Sequence, residues 1–122
     1  MGSHPINLAV RFLLELAAFG GLAFWGWEQG DGVLRFVFAL GSFLIAAILW
    51  GTFNVPGDPS RSGKAPVKVP GFVRLLLELL IFAAGSWAIH ASGYGQFALG
   101  MVIVVVVHYL LSYDRIAWLL QR

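Results

Sequence analysis

The chain of 122 residues is 59% hydrophobic and only 11% charged, with a formal net charge of +2. Soluble domains carry roughly 25% charged residues, so a water-soluble fold could not cover its surface with so few. The absence of cysteine excludes disulfide bonds, thiolate catalysis and cysteine metal sites. The composition predicts an all-α integral membrane protein with a single domain, residues 1–122.

Long uncharged stretches predict four membrane-spanning helices, because one crossing needs about 20 apolar residues. No charged residue lies between Arg35 and Asp58. None lies between Glu78 and Asp114, a stretch that the polar turn HASGYGQ at 90–96 divides into two crossings. The helices are expected at about 6–27, 33–53, 72–91 and 96–113.

Polar segments between these helices predict two hairpins. The turns EQGDG at 28–32 and SGYG at 92–95 are short, so each joins two antiparallel neighbours. The proline-rich segment at 55–70 is expected to be a loop, either a hinge between the hairpins or a docking loop for a cytoplasmic partner. The tail at 114–122 has a helical pattern, and it either continues the fourth helix or lies along the inner interface.

A repeated motif relates the two hairpins. RFLLEL begins at Arg11 and RLLLEL begins at Arg74, with five of six positions identical. Each copy is followed by two crossings, so both copies point the same way through the membrane. This predicts a four-transmembrane-helix bundle of two hairpins, related by a pseudo-twofold axis along the membrane normal.

The distribution of basic residues predicts the orientation, because lysine and arginine accumulate on cytoplasmic loops. With four crossings, one side carries seven of the eight basic residues: Arg11, Arg61, Lys64, Lys68, Arg74, Arg115 and Arg122. The other side carries Arg35 alone. Both termini and the 55–70 loop are therefore expected in the cytoplasm, in contact with anionic headgroups. No basic–aromatic motif for nucleic acid is present. Residues 1–5 (MGSHP) could be an expression remnant, so His4 carries no weight.

The repeated motif places two glutamates inside the hydrocarbon edge, about 6 Å deeper than arginines that can reach the headgroups. Arg11 and Glu15 share a helix face at i and i+4, and Arg74 and Glu78 repeat this arrangement. The order is the less favourable one for a helix, since glutamate before the basic residue is better. We therefore expect pairing between the hairpins, Arg11 with Glu78 and Arg74 with Glu15, and rescue of either single charge reversal by the double reversal of Arg11 and Glu78.

Two further residues are candidates for this polar level. His108 lies near the inner end of the fourth helix, where it either relays protons among carboxylates or bonds to a neighbouring helix. Asn54 either completes the polar cluster or caps the end of the second helix.

These residues leave the molecular function open. The leading hypothesis is a cytoplasm-facing polar site of Arg11, Glu15, Arg74, Glu78, His108 and Asn54 that binds or conducts a small ion, a proton or a lipid headgroup. Transport by so narrow a bundle would need a homo-oligomer. The alternative is a non-catalytic scaffold or accessory subunit in which the charged pairs are structural. An enzyme ranks third, and no catalytic residue, metal site or cofactor is assigned.

Three segments in order, RFLLELAAFGGLAFWGW, LWGTFNVPGDPSR and RLLLELLIFAAGSWAIHASG, resemble the YrdB family of small bacterial inner-membrane proteins. The resemblance extends from residue 6 to about residue 120. Its most specific features are the two R-x-x-x-E-L segments and the W-G-x-F-x-x-P run. Family members commonly have a basic residue soon after that proline, whereas here it is delayed to Arg61. The resemblance implies a topology and the bacterial inner membrane, but no activity.

Overall fold

The computed structural model describes residues 4–58 and 64–122, so Arg61 lies outside the described residues. The described chain is almost entirely helical, as the composition predicts. Its elements in order are α1 (Pro5–Glu28), α2 (Val33–Thr52), β1 (Phe53–Asn54), β2 (Val67–Lys68), α3 (Gly71–Ala91), α4 (Gly95–Leu111) and α5 (Tyr113–Leu120).

Helices α1, α2 and α3 are each long and apolar enough to cross a membrane. Helices α4 and α5 pass the same test together, as a pair bent by 69°. The described residues therefore contain three candidate spans, or four if the bent pair is one span. The fourth helix expected at 96–113 ends at Leu111, and the tail turns sharply away from it at Ser112.

The two hairpins pack closely at two glycines, one against backbone and one against a side chain of the facing helix. A Cβ atom at Gly85 on α3 would lie 2.6 Å from Cα of Ala18 on α1. A Cβ atom at Gly21 on α1 would lie 2.6 Å from Cγ1 of Ile89 on α3. Small residues are what allow membrane helices to approach this closely, because a larger side chain would hold the backbones apart.

The linker between the hairpins contains regular structure that the sequence did not predict. Strands β1 and β2 pair in parallel, with Phe53 opposite Val67 and Asn54 opposite Lys68. Asp58 follows β1 and is 1% exposed. The proline-rich segment thus packs its first residues against the end of the bundle at which α1 and α3 begin.

Helix α5 docks against the start of α3. Its buried residues are Arg115 and Leu119. A Cβ atom at Gly71 would collide with the backbone of Leu119, so glycine is required where the two helices meet. This contact places Arg115 beside Glu78 of α3, at the end of the bundle where α1 and α3 begin.

Candidate functional site

A fully buried carboxylate lies near the end of the bundle at which α1 and α3 begin. Glu78 is 0% exposed, and its Oε2 atom contacts arginines from three helices. The distances from Oε2 are 2.8 Å to Nε of Arg74, 2.7 Å to Nη2 of Arg11 and 2.5 Å to Nη2 of Arg115. The predicted pairing of Arg11 with Glu78 is confirmed by this geometry, and Arg115 is an additional partner.

The second oxygen of Glu78 is also occupied. The hydroxyl of Tyr109 on α4 donates to Oε1 at 2.8 Å. Nη1 of Arg11 lies 3.4 Å from the same hydroxyl. Both carboxylate oxygens therefore have protein partners, as a buried charge requires.

Trp50 on α2 forms the apolar wall of this site. The centroid of its ring lies 5.2 Å from Cζ of Arg11 and 4.7 Å from Cζ of Arg74, within the range of cation–π attraction. Nη1 of Arg74 also donates to the backbone oxygens of Trp50 at 2.5 Å and Phe53 at 2.8 Å. The last carbonyls of a helix lack partners within it and carry partial negative charge, so Arg74 caps α2 as well as pairing with Glu78.

The linker contributes a second carboxylate. Nη1 of Arg115 donates to Oδ1 of Asp58. Arg115 therefore bridges Glu78 on α3 to the chain that follows β1. We call Arg11, Asp58, Arg74, Glu78, Tyr109 and Arg115 the Glu78 cluster; with Trp50 it connects all five helices.

The charges of this cluster nearly balance. Three arginines face two carboxylates, and these five side chains are at most 4% exposed. Glu15, one turn deeper than Arg11 on α1, is partly exposed and interacts with other groups. Its predicted pairing with Arg74 stays a prediction. The two glutamates of the repeat thus lie in different surroundings, because Glu78 is wholly enclosed and Glu15 is not.

His108 belongs to a separate hydrogen-bonded group beside the cluster. Its Nδ1 lies 2.8 Å from Oδ1 of Asn7, and Nδ2 of Asn7 donates to Oγ of Ser112 at 2.6 Å. This arrangement matches the hypothesis of a histidine bonded to a neighbouring helix, since Asn7 is on α1. Asn54 caps α2, because its Nδ2 donates to the oxygen of Gly51 at 2.7 Å.

Sequence reasoning did not identify several members of the site. Asp58 lies in the segment predicted to be a loop, and Arg115 lies in the segment predicted to be an interfacial tail. Neither residue belongs to a motif that would place it beside Glu78. Tyr109 lies in the apolar stretch of the fourth predicted helix, where no motif marks it as a partner of Glu78. Within the described residues, no three histidine, aspartate or glutamate side chains are grouped so that they could hold a metal ion.

Two comparisons with known proteins relate the chain to the same group of uncharacterized proteins. A family model described as "Protein of unknown function (DUF2568)" matches residues 9–106. The uncharacterized protein YrdB of Bacillus subtilis (strain 168) is 38% identical over 119 residues, which cover 98% of this chain and 97% of the relative. No solved structure matches.

Proposed function

The chain belongs to the YrdB-like family of uncharacterized proteins, and we propose that it is a non-catalytic structural component of the bacterial inner membrane. In this role it acts as a scaffold or accessory subunit with both termini in the cytoplasm. The observation that carries the proposal is the enclosure of Glu78, which is 0% exposed and contacts arginines on α1, α3 and α5.

The contacts of Glu78 are those of a structural clamp. A site that exchanges an ion with the cytoplasm needs an exposed charged group or a vacant coordination position. Here Oε2 faces three guanidinium groups and Oε1 accepts from Tyr109. Removing one partner of such a buried network typically costs about 3–5 kcal/mol, so the cluster fixes the relative positions of the helices.

The repeat supports a symmetric arrangement of the two hairpins. Arg11 and Arg74 hold equivalent positions in the two copies, and both reach the same oxygen of Glu78. Equivalent residues meet in this way when they lie beside a twofold axis. We therefore propose the four-helix bundle with a pseudo-twofold axis along the membrane normal.

The cytoplasmic orientation follows from the charges at the cluster end of the bundle. Lys64, Lys68 and Arg122 are exposed there, whereas Arg35 lies at the opposite end. Because basic residues favour the cytoplasmic side and attract anionic lipids, the proposed partner is the anionic inner surface of the bilayer. Assembly into a homo-oligomer is compatible with this role.

A measurement of ion flux distinguishes the proposed structural role from the leading alternative, a polar site that binds or conducts a small ion or proton. The experiment uses the purified chain reconstituted in vesicles, with proton and chloride fluxes compared against protein-free vesicles. We expect no added flux. A flux that Glu15→Gln abolishes while the protein stays folded would overturn the proposal, because Glu15 is the partly exposed carboxylate of the repeat.

A further inference from the structure

Helix α5 has an apolar face that the bundle does not cover. Its buried residues, Arg115 and Leu119, face the bundle. Tyr113 and Leu120 lie away from them and are 68% and 62% exposed. Ala117 is also exposed, four residues after the tyrosine and three before the leucine, so the three side chains are neighbours on one side of the helix. We call Tyr113, Ala117 and Leu120 the α5 apolar face.

A third side of α5 is polar. Asp114 lies there, and Gln121 continues this side two turns later, just after the helix ends; both residues are exposed. Among the described helices, α5 has its apolar residues confined most strongly to particular sides. A helix that lies in a membrane surface beside a bundle has protein, hydrocarbon and water on different sides, and α5 has one face suited to each.

The direction of α5 agrees with this position. Its axis is bent by 69° from that of α4. If α4 crosses the bilayer close to the normal, α5 therefore lies within about 20° of the membrane plane. With eight residues at a rise of 1.5 Å each, α5 is about 12 Å long, shorter than the hydrocarbon of one leaflet.

Basic side chains lie close to α5. The backbone of Leu119 approaches Gly71 so closely that a Cβ atom would collide with it. Lys68 precedes Gly71 by three residues, which span at most about 10 Å, and it is exposed. Arg122 follows the helix and is exposed as well. Exposed basic residues at a membrane surface attract anionic phospholipids, so the charge around α5 complements an anionic leaflet.

We propose that the α5 apolar face inserts into the headgroup–acyl boundary of the inner leaflet, with anionic phospholipid beside Lys68. This proposal rests on the membrane location and orientation proposed above, and it assigns the contact with anionic lipid to one helix. Arg115, on the buried face of the same helix, contacts Glu78. Helix α5 therefore joins the lipid surface to the Glu78 cluster.

The position of α5 is tested with a bimane fluorophore on single introduced cysteines, because the chain has none of its own. The full-length protein is placed in lipid nanodiscs, where brominated phospholipids quench a fluorophore in the hydrocarbon and acrylamide quenches one in water. At Leu120→Cys we expect brominated lipid to quench several times more strongly than acrylamide, as at the exposed hydrocarbon reference Ile103→Cys on α4. At Gln121→Cys we expect the opposite order.

The lipid charge is tested at the same reporter position, Leu120→Cys. Brominated phosphatidylglycerol in phosphatidylcholine is compared with brominated phosphatidylcholine in phosphatidylglycerol, which gives the local preference for the anionic lipid. Lys68→Gln should lower this preference about fivefold, the contribution of one basic residue near an anionic surface. Arg35→Gln removes the same charge at the opposite end of the bundle and should leave the preference unchanged.

Several quenching patterns would overturn the proposal. Stronger quenching by acrylamide at both 120 and 121 would place α5 in water. Stronger quenching by brominated lipid at both positions would mean that α5 continues α4 into the hydrocarbon. Protection of both positions from both quenchers would mean that another protein surface, such as a second copy of the chain, covers α5. Equal effects of Lys68→Gln and Arg35→Gln would remove the assignment of anionic lipid to α5.

These measurements are separable from the tests of the structural role. Nanodiscs expose both ends of the bundle, so the quenching pattern does not depend on orientation in the cell. Ion conduction would appear in the flux experiment and would leave the pattern at α5 unchanged.

Discussion

Arg11 and Arg74 occupy the same position in the two copies of the repeat, and both contact Oε2 of Glu78, at 2.7 and 2.8 Å. The repeated arginine and glutamate therefore do not form two equivalent pairs. One carboxylate gathers both arginines together with Arg115. The two copies have diverged in role, with Glu78 at the centre of the cluster and Glu15 outside it.

Glu78→Gln should destabilise the protein strongly, because it leaves three buried guanidiniums without their shared anion. We expect a loss of about 3–5 kcal/mol in the free energy of unfolding, measured by denaturation in detergent micelles. Glu15→Gln is the matched control at the equivalent position of the repeat. It should cost clearly less, because Glu15 is partly exposed. Equal losses for the two variants would contradict the distinction between the copies.

The double reversal Arg11→Glu with Glu78→Arg should not restore stability. A simple pair between these residues, as the sequence alone suggests, would predict rescue. In the structure, Arg74 and Arg115 both contact the carboxylate of Glu78. In the double variant, these two arginines would instead face a third arginine, at position 78. Folded protein can be quantified by size-exclusion chromatography for the two single variants and the double variant. Recovery of the double variant to the wild-type level would show that Arg74 and Arg115 are not essential partners.

The helices were predictable because the bilayer imposes a length and a composition that appear directly in the sequence. The contact between Arg11 and Glu78 was predictable from the repeat. In each copy the arginine precedes the glutamate, which is the less favourable i,i+4 order, so pairing across the repeat was expected. Arg115 and Asp58 were not predictable. Their placement depends on the 69° bend after α4 and on the path of the linker, and neither has a local sequence signal.

Replacing all five buried charges of the cluster by neutral residues should be tolerated better than removing one charge. The variant combines Arg11→Met, Asp58→Asn, Arg74→Met, Glu78→Leu and Arg115→Met, so no buried charge of the cluster is left without a partner. Buried ion networks often contribute little net stability relative to well-packed apolar residues. We expect the combined variant to unfold at a higher denaturant concentration than Glu78→Gln. A lower midpoint would mean that the charges contribute net stability beyond satisfying one another.

Gly71→Ala should detach α5 from the bundle. The added methyl group would collide with the backbone of Leu119, and backbone atoms cannot move aside as a flexible side chain can. Overpacking of this kind costs about 1–3 kcal/mol. Limited proteolysis should cleave α5 faster in this variant. Gly41→Ala is the control, because its Cβ meets nothing within 4 Å. Unchanged proteolysis of Gly71→Ala would show that α5 tolerates displacement at this contact.

The proposed orientation can be tested cleanly because the chain has no cysteine. Single cysteines at Lys68 and Gln121 mark the cluster end of the bundle, and cysteines at Asp31 and Gln96 mark the other end; all four positions are exposed. The proposal predicts that a membrane-impermeant maleimide added to intact spheroplasts labels the Asp31 and Gln96 variants. The Lys68 and Gln121 variants should react only after the membrane is opened. The reverse pattern would place the seven basic residues outside, against the charge asymmetry that determines orientation. Labelling of all four variants in intact spheroplasts would mean that the chain adopts both orientations.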